Sequence, residues 1–359
     1  MKIGLVGYNQ TGKTSLFELL TGKDSSAIVS GGKGSSNIGT CSIPDERVDF
    51  LSRLYNPKKT TYAKIELIDV PGFGVSSGES GSAASRFLND VRPCDALVHV
   101  LRAFESNSVI HDLDSIDPAR DLESIESEML FADLEMIEKR INRINSSKKI
   151  TKEHTIEIDL LERCFSHLEN GGAIRDMNLT AEEALSVRGF NFLTEKPCLV
   201  VVNLDENQWV NDKSYPGKDA ILSAHPQSVI ELCVATELEL SKLSDEDKQL
   251  FIEDLGITES GISVLAKAVY NRMNLISFLT YGEDEVRAWT LEKGTVARTA
   301  AGKIHTDIQR GFIRAEVVKY SDLYDLGSIP KVKEKGLFKL EGKEYIVEDG
   351  DLIIFRFNV

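Results

Sequence analysis

The chain has few cysteines, no long apolar run and no excess of basic charge, and each shortage removes a class of protein. The five cysteines among 359 residues (Cys41, Cys94, Cys164, Cys198 and Cys233) are odd in number and never fall in C-x-x-C spacing. That pattern opposes a disulfide framework and reads as reduced thiols in a cytoplasmic protein. The longest apolar runs, such as Cys198–Val202 and Leu352–Phe355, fall far short of the ~20 residues of a membrane span, so no membrane partner is expected. Met1–Gly7 is a short strand-like run ending in a turn, without the basic start and long apolar stretch of a secretory leader. With 42 basic and 57 acidic side chains the formal charge is −15. Phosphate neutralisation supplies most non-specific affinity for nucleic acid, so a wholesale nucleic-acid binder is excluded.

What is present is enough for two or three domains, since 42% of residues are hydrophobic. The runs at Met1–Gly7, Ile65–Val70, Ala96–Leu101, Cys198–Asn203 and Ile230–Ala235 are largely apolar, as strands buried on both faces of a parallel sheet are. With helices between them they describe a doubly wound α/β domain. From about Asp117 to Asn170 the chain turns long, charged and helical, with no Gly or Pro between Ala119 and Glu169. Leu130, Leu134, Ile137, Ile141 and Ile144 form a narrow heptad seam. The polar break Asn145–Lys152 separates them from Ile158, Leu161, Phe165 and Leu168, so an antiparallel helical hairpin is expected. After about Asn274, strands are expected at Glu285–Thr290, Gly311–Val318, Lys339–Val347 and Leu352–Asn358, with a short helix at Thr295–His305. The division is then residues 1–112 with 194–274 for the α/β domain, 113–193 for the arm and 275–359 for the tail. The tail carries a net charge of −1, leaving −14 on residues 1–274. Arg287, Lys303, Arg310 and Arg314 therefore make a local RNA-facing patch admissible.

Gly7-Tyr8-Asn9-Gln10-Thr11-Gly12-Lys13-Thr14 is a full G-x-x-x-x-G-K-[ST] phosphate loop between a strand and an amphipathic helix. Its glycines let successive N–H groups wrap phosphates at a helix N-terminus. Nucleotide contacts are expected from Asn9, Gln10, Thr11, Gly12, Lys13, Thr14 and Ser15. Lys13 reaches the β and γ phosphates as a catalytic group, and the Thr14 hydroxyl ligates Mg²⁺. Asp69-Val70-Pro71-Gly72 closes a second strand; Asp69 is placed to hold Mg²⁺ and Gly72 to offer its N–H to a γ phosphate. Phe73 occupies the position where Ras-like GTPases carry a water-orienting Gln, so hydrolysis needs another group or is slow. Asn203-Leu204-Asp205-Glu206 stands where GTPases carry N-K-x-D. Leu204 keeps the packing but loses the charge, and the carboxylate of Glu206 is displaced by one methylene, so guanine selectivity is weakened and adenine becomes admissible. Cys233-Val234-Ala235-Thr236-Glu237 stands at the base-contact loop, with Ala235 and Thr236 as candidates. His111 is a loop histidine that either serves hydrolysis or is simply structural; His99 reads as a satisfied core residue.

Together with Asn37-Ile38-Gly39, Ile43–Arg47, Arg86-Phe87-Leu88, Asp117–Asp121, Ala132–Glu135, Glu285–Thr290, Ala301–Asp307, Gly311–Glu316 and Asp349–Val359, these motifs resemble the YchF-type, Obg-like P-loop GTPase/ATPase family of the TRAFAC class, as a divergent member. The resemblance implies a Ras-like domain with an inserted coiled-coil hairpin and a C-terminal β-grasp TGS domain. It further implies ATP preference through N-x-x-E, ribosome association, and a hydrolytic role for His111. Three departures surround the γ phosphate: Lys33 where a switch I Thr is usual, Tyr-Asn-Gln-Thr in the phosphate loop, and the altered stretch Ser80–Ser85. The expected protein is a cytoplasmic, monomeric, Mg²⁺-dependent switch that hydrolyses ATP slowly. The alternatives are a nucleotide-gated binding module with vestigial hydrolysis, or a GTPase of relaxed base selectivity.

Overall fold

The computed structural model describes residues 1–22, 37–74, 80–106, 109, 111, 113, 115–147, 149–211, 213–244, 247, 250–251 and 261–358. The chain divides into two compact units, Met1–Thr40 with Glu66–Gly261, and Cys41–Ile65 with Ile262–Val359. Residues 41–65 thus group with the tail rather than with the rest of the N-terminal stretch. No helix among the described residues is long and apolar enough to cross a membrane.

The first sheet is built from β1 (Lys2–Val6), β2 (Asn37–Ser42), β4 (Lys64–Asp69), β5 (Ala96–Arg102), β6 (Cys198–Asn203) and β7 (Val229–Leu232), in the order β2-β4-β1-β5-β6-β7. The pairings of β1 with β4 and β5, and of β6 with β5 and β7, are parallel. All residues of β5 and β6 are buried, as continuous apolar runs in the centre of a parallel sheet must be. The expected strand Ile230–Ala235 ends earlier, at Leu232. Cys233 already caps the helix Val234–Leu240, because the β-branched run stops and helix formers follow.

In the first unit lie the helices α1 (Lys13–Thr21) and α3 (Ser80–Val91), whereas α2 (Glu46–Tyr55) belongs to the second unit. The arm is α4 (Pro118–Asn145) followed by α5 (Lys152–Glu169). α4 starts where the Asp117 side chain accepts from Arg120 N at 3.1 Å and Pro118 takes the first turn. α5 starts on a capping box between Thr151 and His154. The hairpin core joins Ile137 to Leu160, Leu161, Cys164 and Leu168, with Leu130, Leu134 and Ile141 packed against it. Arg140 grips Glu157 through two bonds of 2.6 and 2.9 Å, a half-exposed pair worth roughly 0.2–1 kcal/mol. The first half of α4 packs elsewhere: Leu122, Ile125 and Met129 enter the core of the first sheet. One helix therefore belongs to both the arm and the nucleotide domain. Buried Asp133 secures it, accepting from Leu193 N, Thr194 N and Thr194 Oγ1 at 3.0, 2.8 and 2.8 Å.

In the second unit, β3 (Lys59–Thr61) joins β8 (Leu275–Thr280), β9 (Glu285–Glu292), β10 (Phe312–Lys319), β11 (Lys339–Glu341) and β12 (Asp351–Phe357) in the order β11-β10-β12-β8-β9-β3. The contacts of β12 with β8 and of β3 with β9 are parallel, and the other three are antiparallel. The helix Ala297–Ile304 covers one face through Ala297, Ala300 and Ala301. The expected strand Lys339–Val347 shortens to Lys339–Glu341, since Lys343 and Glu344 turn the chain, with Tyr345 N donating to Gly342 O at 3.2 Å. Arg47 of α2 bonds Asp45 and Asp349, at 2.8 and 2.7 Å, tying the segment 41–65 to the tail.

Candidate nucleotide site

β1 ends at the phosphate loop, and α1 begins at its far end. Gly12 has φ of 95°, in the left-handed region, and a Cβ there would run into the Asn203 amide. Glycine is therefore demanded twice, by the backbone and by the neighbour. Lys13 is buried and donates through Nζ to the Tyr8 carbonyl across the loop. The Thr14 hydroxyl donates to Asp69 Oδ2 at 3.0 Å, and Asn37 Nδ2 reaches the same oxygen at 3.4 Å. Burial lifts the Asp69 carboxyl above its ordinary value, against the lowering pull of the Thr14 bond, the Lys13 charge and Asn37. A Thr hydroxyl beside a carboxylate at the mouth of this loop is a hard-oxygen donor set of the kind Mg²⁺ takes. Gly72 abuts the loop so closely that a Cβ would lie 2.8 Å from Asn9 N.

Beside the loop lies a cavity of about 380 Å³. Its walls bring together Gly12, Ser15, Asn203, Leu204, Glu206, Ala235 and Thr236 from three separate stretches of sequence. Asn203 braces it: Nδ2 donates to Thr11 O at 3.0 Å, and Oδ1 accepts from Val234 N at 3.1 Å. Leu204 is 1% exposed. Asp205 is spent on capping the next helix, accepting from Gln208 N at 2.9 Å, while the exposed Glu206 lines the cavity together with Glu105 and Glu239. Sequence reasoning missed Phe104, Glu105 and Ser106, which line the same cavity from the loop after β5. Phe104 is fixed by Arg102, whose guanidinium lies 4.5 Å from its ring centre and whose Nε donates to its carbonyl at 3.1 Å. The apolar strand ending in Arg-x-Phe was the available signal.

The side of the loop that carries Phe73 and His111 is differently arranged. Phe73 N donates to Gly7 O at 2.9 Å, and its ring packs edge-on to Tyr8 at 5.3 Å and against Phe87 at 5.2 Å. Its side chain is thus a wall of the core. His111 lies with its ring 6.4 Å from that of Tyr8, Nε2 3.1 Å from Asp121 Oδ2 and Nδ1 2.8 Å from Leu113 O. Arg120 holds the other Asp121 oxygen at 2.8 and 3.1 Å. The Tyr8 hydroxyl donates to Ser124 Oγ at 2.9 Å, so the phosphate loop is bonded directly to α4. Lys33 and its neighbours lie outside the described residues, as do the side chains of residues 80–84. In the tail, Lys303, Arg310 and Arg314 are exposed, whereas Arg287 lies over the Trp289 ring at 3.8 Å. His99, expected to be satisfied in the core, is buried, but neither ring nitrogen has a hydrogen-bond partner among the described residues.

A family model described as "50S ribosome-binding GTPase" matches residues 2–150, and a second, YchF-GTPase_C, described as "Protein of unknown function (DUF933)", matches residues 275–358. The chain is 39% identical to "Ribosome-binding ATPase YchF" of Bacillus subtilis over 363 residues, covering 99% of each chain. It is 37% identical to the protein of that name from Haemophilus ducreyi over 360 residues, covering 100% of this chain and 99% of that one. Among solved structures, the YchF GTPase of Schizosaccharomyces pombe superposes with a TM-score of 0.87 at 30% identity, over 99% of this chain and 97% of that one. With the phosphate loop, the inserted helical arm and the C-terminal sheet all in place, the chain belongs to the YchF family of P-loop proteins.

Proposed function

We propose that this protein binds ATP with Mg²⁺, hydrolyses it slowly, and acts as a nucleotide-controlled switch on the ribosome in the cytoplasm. The observation that carries the reading is the single cavity in which Leu204, Glu206 and Thr236 meet Gly12 and Ser15, next to Lys13, Thr14 and Asp69. The relatives named ribosome-binding ATPases support the partner and the substrate. The exposed Lys303, Arg310 and Arg314 support a local contact with RNA.

In this reading Lys13 and the amides of the loop bind the phosphates, and Thr14 and Asp69 hold Mg²⁺, which supplies charge neutralisation at the β and γ phosphates. Asn203 keeps the phosphate loop and the base loop in register. Leu204 packs on the base, and with Asp205 engaged as a cap no short carboxylate is presented for guanine. Phe73 cannot orient water. His111 can do so only after leaving Asp121 and Leu113, which makes unassisted hydrolysis slow and gives a partner something to accelerate.

Calorimetry with non-hydrolysable ATP and GTP analogues tests the reading. ATP is expected to bind more tightly, and Lys13→Ala to bind at least tenfold more weakly, about 1.4 kcal/mol. A tenfold preference for GTP overturns the base assignment. Single-turnover hydrolysis is expected to rise with added ribosomes and to fall in His111→Ala; a rate indifferent to both would leave only a binding module.

A further inference from the structure

Outside the nucleotide site, the described residues hold one grouping of potential metal donors: His99 on β5, Cys198 at the start of β6 and Glu126 on α4. One donor atom from each lies within 4.8 Å of the others. The fold explains the meeting. β5 and β6 run parallel with Leu97 opposite Cys198 and His99 opposite Val200, so the alternation of side chains puts His99 and Cys198 on one face. The first half of α4 lies on the sheet, and Glu126 follows directly after Ile125 of its core.

His99 is 0% exposed, and both of its ring nitrogens lack hydrogen-bond partners among the described residues. A dry, unpaired nitrogen is costly to bury, so an imidazole with two of them lacks a ligand in this arrangement. Burial pushes its pKa down to about 4, which keeps a lone pair available at neutral pH. Glu126 is engaged from outside the cluster. Arg175 Nη2 donates to Oε1 at 2.7 Å, and His225 Nε2 lies 3.3 Å from Oε2. Glu126, Arg175 and His225 also line a cavity of about 530 Å³, whose other charged groups are Glu123 and Asp176.

We propose that His99, Glu126 and Cys198 form a binding site for a thiophilic divalent cation, zinc being the best match to their nitrogen, oxygen and sulfur donors. Calcium and magnesium take oxygen ligands, whereas zinc takes this mixed set at bonds of about 2.0–2.3 Å in a tetrahedron. Such bonds put donors roughly 3.5 Å apart, so modest side-chain closure suffices. Thiolate and carboxylate together balance the charge of the ion, and the thiol proton leaves to solvent on binding. Arg175 acts as the outer partner that orients the ligating carboxylate. The fourth position takes water. The bound ion clamps α4, and with it the arm, to the two central strands.

The test uses the full chain, freed of metal by chelation and titrated first with cobalt(II) as a spectroscopic probe and then with zinc. One cobalt per chain is expected, with a near-ultraviolet thiolate charge-transfer band that zinc displaces. The band disappears in Cys198→Ser and in His99→Leu, and zinc raises the thermal midpoint of the wild type but not of these variants. Glu126→Gln weakens zinc binding at least tenfold. Circular dichroism and ATP binding show that the variants are folded. The absence of a charge-transfer band at equimolar cobalt, or a band unchanged in Cys198→Ser, overturns the proposal and leaves a buried water as the partner of His99.

Discussion

Asn203 offers the sharpest test of how the nucleotide site is held together. Its side chain is 5% exposed and makes two bonds, to Thr11 O at 3.0 Å and from Val234 N at 3.1 Å. Asn203→Ala removes both and strands a carbonyl and an N–H out of water. At about 1–2 kcal/mol for each, the loss is about 2–4 kcal/mol of stability. For a unit of this size that lowers the unfolding midpoint by roughly 5–12 °C. Because the bonds join the phosphate loop to the base loop, ATP and GTP affinity should fall together by an order of magnitude or more, with their ratio unchanged. Asn203→Asp keeps the acceptor for Val234 but turns a carboxylate against the Thr11 carbonyl, so it should bind no better than Asn203→Ala. Scanning calorimetry and titration calorimetry on the same samples read both effects. An alanine variant that melts and binds as the wild type does would refute the bracing argument. A change in the ATP/GTP ratio alone would instead make Asn203 a base reader.

Other outcomes follow from single contacts. Tyr8→Phe deletes the bond to Ser124 while keeping the ring against Phe73; about 0.5–1.5 kcal/mol should be lost, with ATP affinity within twofold, by thermal melting and titration. Asp133→Ala leaves Leu193 N, Thr194 N and Thr194 Oγ1 without their acceptor, so a loss of about 3 kcal/mol is expected, and urea unfolding without a lowered midpoint would contradict it. All five cysteines are buried, and burial pushes the thiols of Cys41 and Cys94 up to about 11. Thiol-disulfide exchange with a chromogenic reagent should therefore be slow on the native chain and count five thiols after denaturation; rapid native reaction would contradict their placement.

What the sequence determined by itself is local. The phosphate loop is legible because strand, glycine turn and helix are contiguous, and the residue types that wrap a phosphate are the ones that make that turn. The arm is legible because Leu130, Leu134, Ile137 and Ile141 repeat at helical spacing and the polar break Asn145–Lys152 separates its two helices, while the N-caps Asp117 and Thr151 emerged only in the structure. Even so, helical period alone did not reveal that the first half of α4 serves the core of the sheet. Short or edge strands such as β3, with three residues, carry no periodicity from which to be read. Partners far apart in sequence were decided by the tertiary structure. Asn203 meets Thr11 across 192 residues, Phe104 joins the cavity wall only because β5 adjoins β6, and His111 finds Asp121 only once α4 is docked. His99 is the clearest case. A histidine in an apolar strand reads as ordinary core, and only the register of β5 on β6, with α4 laid across them, brings Cys198 and Glu126 to its unpaired nitrogens. Backbone conformation is written in neighbouring residues, but the chemistry of a buried side chain depends on which strand the sheet sets beside it.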